Sequence, residues 1–112
     1  MINYHHKKFR PVTNSENGEV DNDTVFVYQQ KGNIISCHYA GHQIIQGHLI
    51  GLVDEGGVID MRYHQINKKG ELMTGICRST PKYDNGKWYL QEEWQWTSGD
   101  FSQGNSVLEE IG

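Results

Sequence analysis

Residues Trp88–Trp96 read WYLQEEWQW, and this stretch decides the fold. Trp88, Leu90, Glu92, Trp94 and Trp96 fall on one side of an extended chain, with Tyr89, Gln91, Glu93 and Gln95 on the other. A helix would scatter the three tryptophans around its circumference, so the period of two predicts a strand. At roughly 3.3 Å per residue such a strand is about 30 Å long, enough to span a small domain. One residue breaks the apolar side. Glu92 stands among the tryptophans, where a carboxylate is costly to bury without a partner.

Outward from that strand the chain reads as a meander. Thr24–Gln30 (TVFVYQQ) is β-branched and aromatic, and Lys31-Gly32 turns it into Asn33–Ala40 (NIISCHYA). Gly41-His42 leads into Gln43–Val53, and Asp54–Gly57 (DEGG) turns into Val58–Asn67. Lys68–Gly70 leads to Glu71–Thr80, with Pro81 expected to end or bend that strand. Asp84-Asn85-Gly86 turns into the tryptophan strand, and the loop TSGDFSQG precedes a final strand, Asn105–Ile111. Phe9–Val12 supplies a short edge strand after residues 1–8, which read as a flexible N-terminal arm. No run carries an apolar stripe of helical period.

The expected fold is therefore all-β, one domain over residues 1–112. It is an antiparallel up-and-down meander closing into a small barrel of about eight strands, similar in form to lipocalins and fatty-acid-binding proteins. With no helix to cover the sheet, closure buries its apolar face and removes its edges. A two-sheet sandwich and an open sheet buried by dimerisation are the alternatives. Gln43–Val53 is apolar on both faces, which points to a neighbour and a homodimer as one way of covering it.

Composition narrows the function classes. The 112 residues carry a net charge of −4, with 10 Lys and Arg against 14 Asp and Glu, and no basic stripe of the kind that holds phosphate backbones. Nucleic acid and anionic membrane surfaces are not expected partners. The N-terminus has no apolar segment behind its basic run, so the expected location is the cytoplasm. There Cys37 and Cys77 read as reduced core thiols without zinc or redox spacing.

Parity also sorts the candidate site. Inward residues should be Trp88, Leu90, Trp94 and Trp96 with Ile59, Met61, Tyr63, Leu72 and Ile76. The same counting, with the turn centred near residue 85, points Arg78 inward and sets it opposite Glu92. The candidate ligand-binding residues are thus Arg78, Glu92, Trp94, Trp96 and Tyr63. Arginine offers a bidentate fork for carboxylates, and a glutamate among tryptophans has its pKa raised. A structural ion pair at one barrel end is the plainer account of the same two residues. Other constellations are weaker. His48, His64 and Asp60 suggest a metal site, but strand positions four apart lie about 13 Å from each other, and Arg62 between them repels a cation. Glu92 and Glu93 point to opposite faces, as do Cys37 and His38, so neither pair forms a catalytic unit. No catalytic residue, metal ligand or cofactor is assigned.

The segments FRPVTNSENGEV, GHLIGLVDEGGVIDMRYHQIN, GELMTGICRSTP, EEWQWTSGD and GNSVLEEI cover most of the chain. In them the chain resembles a family of small proteins of this length from Gram-positive bacteria. Members of that family often carry the label N-acetylglutamate synthase. Acetyltransferases of the usual kind are mixed α/β proteins with a glycine-rich pyrophosphate loop opening a helix, and neither is present here, so no catalytic residue is carried over. Three functions follow as expectations: a protein that binds a small polar or aromatic metabolite inside the barrel, a structural or interaction module with a packed interior, and an enzyme.

Overall fold

The computed structural model describes residues 2–112, and among them every regular element is a strand. The strands are β1 (Lys8–Asn14), β2 (Phe26–Val27), β3 (Gln29–Lys31), β4 (Ile34–Tyr39), β5 (Ile44–Val53), β6 (Ile59–Asn67), β7 (Leu72–Asp84), β8 (Lys87–Trp96) and β9 (Gln103–Ile111). All pairings are antiparallel, and the sheet order is β2-β1-β9-β8-β7-β6-β5-β4-β3. The two ends of that list are halves of one segment broken only at Tyr28. Its first half pairs with β1 (Phe9 opposite Phe26) and its second with β4 (Gln30 opposite Ile35), so Phe26–Lys31 closes the sheet. Tyr28 adds to the seam, its amide donating to the Lys7 carbonyl and its carbonyl accepting from the His6 amide. The expected barrel of about eight strands is present. No helix among the described residues is long and apolar enough to cross a membrane.

Alternation puts one face of every strand inside. Phe9, Tyr28, Ile35, Cys37, Ile44, Leu49, Val53, Ile59, Met61, Leu90, Trp94, Trp96 and Leu108 are all buried there. The tryptophan strand has the expected orientation, with Trp88 only partly buried at its start. Both cysteines are buried and free. Burial pushes the Cys37 thiol up to about 12 and Cys77 well above its ordinary value, so both are poor nucleophiles.

Strand β7 corrects the sequence reading. Asp84 pairs with Lys87 across a two-residue turn in which Asn85 (φ 49°) and Gly86 (φ 83°) are both left-handed, as a type I′ hairpin requires. That register sets Arg78 opposite Glu93 and Ser79 opposite Glu92. The expected turn was one residue longer, and a slip of one residue inverts a whole strand. Arg78 is therefore outside and exposed, Leu72 is exposed, and Ile76 is half-buried on the outer face. Gly75, Cys77 and Ser79 face inward in their place. Strand β7 also runs on through Pro81. The last β6–β7 pair is Ile59–Ser79, so beyond it β7 has β8 alone as a neighbour, and an imino nitrogen is tolerated on the open side.

The N-terminal segment departs from the expectation of a loosely attached arm. Met1 lies outside the described residues, but the rest of the segment is docked across the end of the barrel where the β5–β6 turn lies. Tyr4 is fully buried, and its hydroxyl donates to the Gly57 carbonyl at 2.6 Å. Its ring centroid lies 6.2 Å from those of Phe9 and Tyr28. Phe9–Val12 is likewise part of a longer strand, paired on both sides and bulged between Pro11 and Thr13.

Three inward aromatics lie flat across glycines on the neighbouring strand: Tyr39 over Gly47, Tyr63 over Gly75 and Trp94 over Gly104. A methyl group at any of these glycines would fall inside the ring's contact distance. The glycines let bulky rings line a narrow barrel instead of filling it. Gly75→Ala should lift Tyr63 off the wall and destabilise the fold by about 1–3 kcal/mol, read as a lower urea midpoint with unchanged slope.

Candidate functional site

A cavity of about 60 Å³ lies inside the barrel, towards the end covered by the loop between β1 and β2. Its wall is aromatic and apolar, formed by Phe26, Tyr39, Tyr63, Trp94 and Trp96 with Leu49, Met61 and Cys77. Trp96 is the hub of the ring cluster, edge-on to both Trp94 and Tyr63 with centroids 5.7 Å away. These rings come from β2, β4, β6 and β8, each on an inward position of its strand.

Glu92 is the carboxylate that a strand contributes to this wall. It is half-buried because it fronts the cavity, and it sits on the inward face of β8. One oxygen accepts from Ser79 Oγ at 2.8 Å on β7, the other from Ser106 Oγ at 2.9 Å on β9. Burial raises its pKa, while the Ser79 and Ser106 hydrogen bonds pull in the opposite direction without cancelling the shift. The ion pairs of the described residues join Lys7 to Glu110, Arg10 and Lys87 to Glu109, and Arg62 to Asp60, all away from Glu92.

The mouth is built by the β1–β2 loop. Glu19 accepts from Gln65 Nε2 at 2.9 Å and from Asn67 Nδ2 at 2.7 Å, and the Tyr39 hydroxyl donates to Gln65 Oε1 at 2.8 Å. Trp96 Nε1 donates to the Asn17 carbonyl at 3.0 Å, tying the tryptophan strand to the same loop. Asn14 donates through Nδ2 to the Val20 carbonyl at 2.8 Å, while its Oδ1 is buried without a hydrogen-bond partner.

Of the five candidate ligand-binding residues, the structure brings Tyr63, Glu92, Trp94 and Trp96 together on this wall and leaves Arg78 outside. The Arg78–Glu92 pair does not form. Sequence reasoning missed Glu19, Gln65, Ser79 and Ser106. Ser79 was legible only once the β7–β8 hairpin register was right, Ser106 depends on the separate β8–β9 pairing across an irregular loop, and Glu19 lies in a loop whose fold no periodicity reports. Asp60, His48 and His64, the metal-ligand candidates, lie on the outer face. His38, His48 and His64 stand opposite one another across β4, β5 and β6, with centroids 4.6 and 5.5 Å apart. Among the described residues no group of three His, Cys, Asp or Glu side chains is arranged to hold a metal ion.

Comparison with known proteins agrees with the barrel. The sequence model of the family described as avidin-like protein matches residues 2–111. No curated protein and no solved structure matches the chain.

Proposed function

The chain belongs to the avidin-like protein family, and from that premise we propose that it is a binding protein that takes a small organic molecule into the barrel interior. The observation that carries this reading is the cavity itself, lined by five aromatic rings and two carboxylates, Glu92 from β8 and Glu19 from the β1–β2 loop. A protein that needed only a stable core would gain by filling that space and by replacing Glu92 with an apolar side chain. Ligand sites have this character: mostly apolar walls with a few polar groups that fix orientation. At about 60 Å³ the space takes the head of a ligand, roughly two waters' worth of volume, with the remainder passing under the β1–β2 loop.

Tryptophan fluorescence tests this. Trp94 and Trp96 are on the wall, so a bound molecule is expected to shift or quench the emission saturably in a metabolite screen. Trp94→Phe should remove much of that response. A second reading leaves the interior unused and works through the outer face of β4 and β5. There Ile34 and Leu52 pair directly, and Ile50 lies beside them, each about half exposed. If no compound perturbs the emission and the chain self-associates in light scattering, that face carries the function and the interior does not.

A further inference from the structure

The inference rests on the interior being a ligand site and concerns what that site selects. Its polar wall is one-sided. Two carboxylates, Glu92 and Glu19, line the cavity, and no Lys, Arg or His does. Most donors around the cavity are already used: Ser79 and Ser106 on Glu92, Tyr39 on Gln65, the Gln65 amide on Glu19, and the Trp96 indole on Asn17. What is left over is mainly acceptor capacity, with the Tyr63 hydroxyl and the weak Cys77 thiol as the remaining side-chain donors. Asn14 is among the residues around the cavity, and its Oδ1 is buried without a partner while its Nδ2 serves the Val20 carbonyl. Glu92 accepts from two hydroxyls and lies beside the Cys77 thiol, which still leaves the carboxylate acceptor capacity for one further donor. The Tyr63 hydroxyl both donates and accepts. A ligand that brought acceptors or negative charge would leave these groups opposed and desolvated.

The apolar part of the wall has the same preference. Aromatic faces carry negative quadrupole charge and attract a desolvated cation. Tyr63, Trp94 and Trp96 stand around the same space as the carboxylate. We propose that the barrel binds an organic cation, with an alkylammonium or guanidinium head inserted between Glu92 and the Tyr63, Trp94 and Trp96 rings, its N–H groups donating to Glu92. Arg78, read from the sequence as a fork for an acidic ligand, is on the outer face and takes no part. The preference is therefore the reverse of an acid-binding site.

Charge coupling gives a second, independent signature. The titratable groups packed around Glu92 are Cys77 on β7, Tyr39 on β4, Tyr63 on β6 and Tyr28 at the seam, all with pKa values pushed up by burial. Glu19 at the mouth is the other acid. As pH rises from acid, Glu92 loses its proton long before the phenols and thiol do, and a cation binds its charged form. Affinity for a permanently charged head should rise with pH through the Glu92 titration and then level.

The experiment titrates the full chain with ethylguanidinium, n-butylammonium, N-ethylurea and butyrate at constant ionic strength, following tryptophan emission. N-ethylurea matches ethylguanidinium in shape and lacks its charge. One of the cations is expected to bind about tenfold or more tighter than N-ethylurea and butyrate. Glu92→Gln should abolish that preference, while Glu93→Gln, on the outward side of the same strand, should keep it. If N-ethylurea or butyrate binds as well as the cations, the cation assignment is overturned and the interior remains a ligand site. Saturable cation binding that survives Glu92→Gln, or that weakens as pH rises in the unaltered chain, also overturns it. So does the absence of saturation by either cation, and the metabolite screen then decides separately whether the interior binds anything.

Discussion

Tyr4→Ala is expected to cost about 3–5 kcal/mol, a large share of the roughly 5–15 kcal/mol that holds a domain of this size together. The ring is fully buried, and with Phe9 and Tyr28 it forms an aromatic cluster at the barrel seam. Removing it leaves a void bounded by the closure strand, where the surroundings cannot collapse without opening the β1–β2 pairing. Tyr4→Phe separates the two parts of the effect. It keeps the ring and takes the donor away from the Gly57 carbonyl, for an expected loss of about 1 kcal/mol. Urea unfolding reads both as lower midpoints. If Tyr4→Ala unfolds at the unaltered midpoint, residues 2–7 do not contribute to the barrel.

Glu92→Gln should have the opposite sign and stabilise the ligand-free protein at neutral pH. The folded state raises the Glu92 pKa above its ordinary value of 4.5, chiefly through desolvation. Between those two values the folded chain binds more protons than the unfolded one, so stability falls as pH rises across that interval. The penalty is absent below about pH 4.5 and fully present above the raised pKa. The difference in melting temperature between Glu92→Gln and the unaltered chain should therefore grow with pH across that window and then flatten. Each kcal/mol relieved is worth about 4–8 °C in a domain of this size. Glu109 and Glu110 move the other way, held below their ordinary values by Lys87, Arg10 and Lys7. Their contribution is lost as pH falls, but both chains share it and it cancels in the difference. A difference that shrinks as pH rises would show that Glu92 is ionised comfortably in the fold. A site residue whose removal strengthens the fold is what a ligand-binding group among tryptophans predicts.

The two results are linked by the barrel's construction. At one end Tyr4 closes the interior with a ring and a hydrogen bond to the β5–β6 turn. At the other, the β1–β2 loop is held by Glu19 and Asn17 over a space that rings lying on glycines have kept open. The core is packed towards the Tyr4 end and hollow towards the loop, with Glu92 facing the hollow part.

By itself the sequence determined the strands and their closure, because alternation and turn chemistry are local properties. The period of two in Trp88–Trp96 names the buried side of β8 from nine residues, and it places Glu92 among Trp94 and Trp96 without reference to any other strand. The hairpin between β7 and β8 shows where local reading stops. Whether Asn85-Gly86 is a two-residue turn depends on two backbone angles, and that choice decided whether Arg78 or Ser79 met Glu92. An ion pair and a hydroxyl-bound acid differ by one step of register. Tyr4 and Glu19 lie in irregular segments, where what fixes a side chain is the Gly57 carbonyl or the amides of Gln65 and Asn67, each about fifty residues away in sequence. Only tertiary structure brings such partners together, because a loop takes its conformation from the groups that satisfy it and not from a repeat of its own.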